Sequence, residues 1–118
     1  GDLKNVDLMV GDISRNSTDT LSAELTAANF GNVAEDASGA DLAAGVVNLV
    51  LQAIGTMTVL ATKTCPAKEV ILTGSVTTLD QTRPNFETFE RFYGIHYIIP
   101  ENATFATAYG AALHALGR

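Results

Sequence analysis

Little of this chain is charged. Only 17% of its 118 residues are Asp, Glu, Lys or Arg, while 47% are hydrophobic; an ordinary soluble domain carries roughly a quarter charged residues. Positive charge is scarcer still, with seven Lys and Arg against thirteen Asp and Glu for a net charge of −6. No basic run exists to neutralise a phosphate backbone, which excludes nucleic acid as the expected partner. The single cysteine, Cys65, cannot make an intramolecular disulfide and fits a reducing, cytoplasmic compartment. No partner that would activate it as a nucleophile is evident, so a plain free thiol is expected. Internal repeats, low-complexity tracts and targeting signals are lacking too. What is there suffices for one compact domain with a core that needs neither disulfide nor metal. The shortage of charge predicts surface hidden against something else.

The longest uncharged stretch, LAAGVVNLVLQAIGTMTVLAT at residues 42–62, lies between Asp41 and Lys63. It is about long enough to cross a bilayer as a helix. However, Asn48, Gln52 and Thr56 recur every four residues beside Val46, Val47, Leu49, Val50, Ile54, Met57 and Leu60, marking one polar stripe on an apolar helix. A buried helix of a soluble protein, with no membrane partner, is the reading adopted. It runs over about 41–64, with Ser38 or Asp41 as N-cap and Pro66 just beyond its end.

Upstream, VDLMV at residues 6–10 alternates like a half-buried strand, within a first segment 1–13. Residues 14–40 are rich in Ser, Thr, Asn, Asp and Gly around one apolar island, ELTAANFGNV, and read as a long loop carrying a short turn or helix. Downstream, VILTGSV at 70–76 is a strand that ends on Gly74 and Ser75. A helix follows, with Asn85 as cap, Phe86, Phe89 and Phe92 or Tyr93 at helical spacing, and Gly94 at its end. IHYII at 95–99 is a third strand. Asn102 then caps a last helix, in which Phe105, Ala108, Ala112, Leu113 and Leu116 are expected to face inward. Three strands alternating with three helices predict an α/β fold with a parallel sheet. In such sheets ligands gather outside the carboxyl ends of the strands, where Thr73, Gly74 and Ser75 fall. A glycine there removes a Cβ that would obstruct a ring or phosphate, and the serine hydroxyl can donate or accept.

Other polar residues carry less. Asp7 and Asp12 are read as a solvated face and a turn rather than paired carboxylates. His96 and His114 sit on different elements without ligands at metal spacing.

ELTAANFG, a long helix, VILTGSV and then ENATFATAYGAAL together resemble the C-terminal lobe of type II pantothenate kinases, within the actin-like ATPase superfamily. The resemblance spans essentially the whole chain from GDLKNVDLMVGDI. ELTAANFG and the pattern of Glu101, Asn102, Phe105, Ala108, Gly110 and Ala111 are its most specific parts.

The resemblance implies a partial ribonuclease-H-like lobe and, for the whole enzyme, ATP-dependent phosphorylation of pantothenate on the route to coenzyme A. Gly74 and Ser75 match a motif that lies against adenosine. Thr26 and Asn29 would sit near the nucleotide, and Phe89 matches an aromatic that reaches the partner subunit's substrate channel, although a local core role is the simpler reading. The departures are as informative. The glycine-rich phosphate loops, the catalytic carboxylate and its basic companion have no counterpart in this sequence. No residue is therefore assigned to catalysis or to a metal, and Mg²⁺ is expected to be held mainly through parts absent here. The expectation is a single C-terminal subdomain over 1–118, inactive alone, its N-terminal lobe missing, with Gly1 as a cleaved tag would leave it. A homodimer is expected through the long helix, where Gly45 and Gly55 permit close approach. A non-catalytic nucleotide-binding or oligomerisation module and another enzyme of the same superfamily are the alternatives.

Overall fold

A computed structural model describes residues 1–14 and 21–117; residues 15–20 of the predicted loop lie outside the described residues. The fold is mixed α/β with two small sheets and several helices. The described residues fall into two compact units, 1–50 and 51–118.

In the first unit, strand β1 (Leu8–Met9) runs into a single helical turn, α1 (Val10–Ile13), and pairs antiparallel with β2 (Thr26–Ala28). The expected strand over 6–10 is therefore cut to two residues. Its end is chemical: the Asp12 carboxylate accepts the Met9 N–H at 2.8 Å and caps the turn, while Val10 and Gly11 donate to the carbonyls of Leu25 and Ala23. The predicted 14–40 loop in turn contains β2. Its TAA sequence carries little β-propensity, so this strand is made by its partner rather than by local preference.

Helix α2 (Gly39–Thr64) contributes to both units. It starts on a capping box: the Ser38 Oγ accepts the Asp41 N–H at 3.2 Å, and the Asp41 carboxylate accepts the Ser38 N–H at 2.9 Å. Ser38 is thus the cap and Asp41 its reciprocal partner. The buried positions of α2 are Asp41, Gly45, Asn48, Leu51, Gly55, Val59 and Thr62, three or four residues apart and hence one face. Small and polar residues fill much of that stripe, while Val46, Leu49, Val50, Met57 and Leu60 are exposed. The helix expected to be buried is thus buried along this small and polar stripe, with much of its apolar surface left outside. The glycines explain why. Phe30 lies over Gly45, where an added Cβ would stand 2.9 Å from its Cζ, and the Phe89 ring occupies the notch at Gly55. Both sites of expected intersubunit approach are filled within the chain. By length and hydropathy α2 is also long and apolar enough to cross a membrane, with 28% of its most apolar window buried.

The second unit holds strands β3 (Glu69–Ile71) and β4 (His96–Ile98), paired in parallel with Glu69 opposite His96 and Ile71 opposite Ile98. Helix α3 (Thr82–Tyr93) connects them and α4 (Ala106–Ala115) closes the chain. Phe86 and Tyr97 meet at 4.7 Å between ring centroids, and Phe89 stacks on Tyr93 at 5.8 Å. Asn85 lies inside α3 rather than at its cap: Thr82 is buried and ties the start of the helix down by donating to the Val76 carbonyl at 2.6 Å. Gly94 ends α3 in the left-handed region at φ 63°, as expected. Asn102 precedes a turn of 3-10 helix at Ala103–Phe105, and no side-chain cap bond is made there. The inward face expected for the last helix is absent. No residue of α4 is buried, and Phe105 and Leu116 are 68% and 74% exposed. Only Ala103, ahead of α4, enters the core.

The predicted three-stranded parallel sheet is thus replaced by one antiparallel and one parallel pair, in separate units.

Candidate functional site

Two polar constellations are built, one in each unit. In the second, β3 ends at Ile71 and the chain reaches Gly74 at φ 100°, ψ 173°, a conformation that only glycine adopts without strain. Nothing lies within 4 Å of the position a Cβ would take. The glycine is therefore demanded by backbone angle, not by crowding within the chain. Its N–H donates to the Ala103 carbonyl at 2.8 Å, while its carbonyl accepts from the Thr77 hydroxyl at 2.6 Å. Ser75 opens a short 3-10 helix (Ser75–Thr78) and is exposed. The bond from Gly74 to Ala103 draws Glu101 and Asn102, both exposed, to the same carboxyl end of the parallel pair. This is where open α/β sheets present ligand sites.

In the first unit, Asp7 is fully buried. One carboxylate oxygen accepts the Phe30 N–H at 2.8 Å; the other accepts the Thr26 hydroxyl and the Asn48 Nδ2, each at 2.9 Å. Asn48 also donates to Thr26 Oγ1 at 3.0 Å and to Asn29 Oδ1 at 3.2 Å. Thr26 and Asn29 are thus brought together by α2 and a buried carboxylate. Phe30 is held at φ 54°, an uncommon angle for a residue with a side chain. That angle aims its N–H at Asp7.

Asp7 corrects the solvated-face reading. Alternation places it opposite Val6 and Leu8, yet Val6 and Asp7 are both buried, because they precede β1 in a turn where period two does not apply. Asp12, by contrast, is exposed and does form a turn. Asn48 was legible only as part of a polar stripe. Its role is set by partners 19 to 41 residues away.

Phe89 is half-buried, between Gly55, Phe86 and Tyr93. On the facing element, burial pushes the pKa of the Tyr97 hydroxyl up from its ordinary value, although that hydroxyl shares a 2.6 Å hydrogen bond with Thr58. His96 lies 3.0 Å from Glu90 on an exposed surface. Among the described residues no group of three or more His, Cys, Asp or Glu could hold a metal ion.

No family model matches the chain. It is similar to a type II pantothenate kinase of Staphylococcus haemolyticus, 33% identical over 116 residues. That alignment takes in 94% of this chain and 44% of the relative, so the chain spans less than half the length of the curated protein it matches.

Proposed function

We propose that this chain is the C-terminal, adenosine-binding part of an ATP-dependent pantothenate kinase, a single subdomain of a longer actin-like fold. The similarity along 94% of the chain to a type II pantothenate kinase carries this reading. The geometry at Gly74 supports it: a positive φ and open space beside the backbone, at the carboxyl end of a parallel pair, suit close approach of a flat ring.

Gly74 and Ser75 would hold the adenosine moiety, the first by leaving its backbone uncovered and the second through its hydroxyl. Thr26 and Asn29, fixed by Asp7 and Asn48, would order the ELTAANFG segment near the nucleotide. When bound, ATP supplies the phosphoryl group, and the phosphates and Mg²⁺ would be held by the lobe that this chain lacks. The chain alone is therefore inactive in this reading. Its partners are ATP, pantothenate and that lobe, together with a second copy in a cytoplasmic homodimer. Phe89 keeps its proposed place facing the partner subunit's substrate channel, its ring braced by Gly55. A soluble setting for α2 is supported by Asp41 and Asn48, whose side chains on its buried stripe are engaged in hydrogen bonds.

A second reading, a non-catalytic oligomerisation module, is favoured by the exposed apolar residues of α2 and α4. Titration calorimetry with ADP decides between them. Binding that is lost in Gly74→Val and weakened in Ser75→Ala supports the adenosine site. No heat from the wild-type chain at millimolar ADP overturns it.

A further inference from the structure

Two backbone bonds tie the chain together at the carboxyl end of the parallel pair. Leu72 N–H donates to the Ile98 carbonyl at 2.9 Å, and Gly74 N–H to the Ala103 carbonyl at 2.8 Å. Between these bonds the β3 segment advances by two residues and the β4 segment by five, so residues 99–102 loop out. That loop is closed on itself. Ala103 N–H returns to the Pro100 carbonyl at 3.0 Å, which leaves Glu101 and Asn102 at the centre of a tight turn, and Ala103 is buried and anchors it. Glu101 is exposed. Among the described residues no ion pair or hydrogen bond engages its side chain.

Charge decides how a nucleotide lies against this turn. Residues 72–80 and 98–105, which build this end, include Asp80 and Glu101, both exposed, and no lysine or arginine. A phosphate chain beside them meets like charge with nothing to neutralise it. The ribose meets no such penalty, and its two adjacent hydroxyls are donors for the two acceptor oxygens of a carboxylate. The order of elements favours the same pairing. β3, α3 and β4 form a strand–helix–strand unit with parallel, neighbouring strands; in dinucleotide-binding units of this kind an acidic side chain beyond the glycine turn takes a ribose hydroxyl. We propose that Glu101 binds the ribose hydroxyls of the nucleotide whose base lies against Gly74, and so selects ribonucleotides over nucleotides that lack those hydroxyls. This rests on the adenosine site proposed above and adds to it a residue and a specificity. The phosphates then point away from Glu101 and Asp80.

The test is titration calorimetry of the wild-type chain, Glu101→Ala and Asn102→Ala with ADP and with 2′,3′-dideoxy-ADP. Glu101 is exposed, so its truncation leaves the core untouched, and far-UV circular dichroism verifies each fold. The wild type is expected to bind ADP about tenfold or more tightly than the dideoxy nucleotide. Glu101→Ala is expected to bring that ratio to about one, yet to bind the dideoxy nucleotide at least as well as the wild type does, because a negative charge has left the neighbourhood of the diphosphate. Asn102→Ala, in the same turn, is expected to keep the ratio. Three results overturn the assignment while leaving the adenosine site in place: no preference in the wild type, a preference that survives Glu101→Ala, or one lost equally in Asn102→Ala. Failure of the wild type to bind either nucleotide overturns the adenosine site itself, and this assignment with it.

Discussion

Asp7 shows how much of this chain's order hangs on single polar side chains. A buried carboxylate that satisfies a hydroxyl, an amide side chain and a backbone N–H holds three segments at once, and its removal takes an acceptor from each of these donors. Asp7→Ala is expected to destabilise the chain by about 3 kcal/mol in urea unfolding, whereas Asp12→Ala, which loses an exposed cap bond, costs about 1 kcal/mol or less. If the two changes cost the same, Asp7 is not the organising group described here. Asp41 makes a related case at its own site. The Asp2 N–H, followed by the Ser38 hydroxyl and N–H and the Asn5 side chain, holds its carboxyl well below the usual carboxylate range. A depressed folded-state value means stability that is present above the unfolded value, roughly pH 4, and lost as pH falls toward the folded one. Acid unfolding followed by circular dichroism should therefore show a transition below pH 4 that Asp41→Asn flattens. These residues were only partly legible in the sequence. Ser38 and Asp41 stood out because a capping box is local, spaced three apart. Asp7 did not, because its partners come from β2 and α2 and no pattern near residue 7 announces them.

Glycine sorts the helices. In α2, a methyl group at Gly45 meets Phe30 and Val6, and one at Gly55 meets the Phe89 ring. Gly45→Ala and Gly55→Ala are expected to destabilise by about 1–3 kcal/mol through overpacking, against the gain in helix propensity. In α4, Gly110 has nothing within 4 Å of the added atom, so Gly110→Ala should stabilise by about 0.5–1 kcal/mol. Thermal melts of the three variants check the contrast, and an α2 variant more stable than wild type would refute the notch packing. Element existence was largely legible: the long helix, α3 with its Gly94 end, β4 and a final helix are where periodicity and punctuation put them, while β3 is present but stops at Ile71, short of the expected end at Gly74. Orientation was not. An apolar stripe points to the core only if the neighbouring elements offer it one; here aromatics from elsewhere in the chain seek the glycines, and the polar face of α2 turns inward with them. The sheet was misjudged for a similar reason, since TAA looks like loop until Leu8 and Met9 lie beside it.

At the scale of the molecule, scarce charge and exposed apolar surface act together. Val46, Leu49, Val50, Met57 and Leu60 on α2, with Phe105, Tyr109 and Leu116 around α4, are all at least 42% exposed. Apolar surface of this kind is held apart in solution mainly by like charge. The chain carries −6 at neutral pH and nothing near pH 4.6. That point lies above the range, below roughly pH 4, in which the stability contributed by Asp41 is lost, so neutralisation precedes acid unfolding. The chain is therefore expected to reach its solubility minimum near pH 4.6 while still folded, with full far-UV ellipticity in the fraction that stays dissolved. Met57→Gln with Leu60→Gln, which leaves every charge in place, should restore solubility there several-fold. If ellipticity collapses before turbidity appears, unfolding drives the association instead, and the exposed α2 surface is not its cause. If turbidity appears first but the double variant precipitates just as readily, the adhesive surface lies elsewhere, with the aromatic residues around α4 the next to replace.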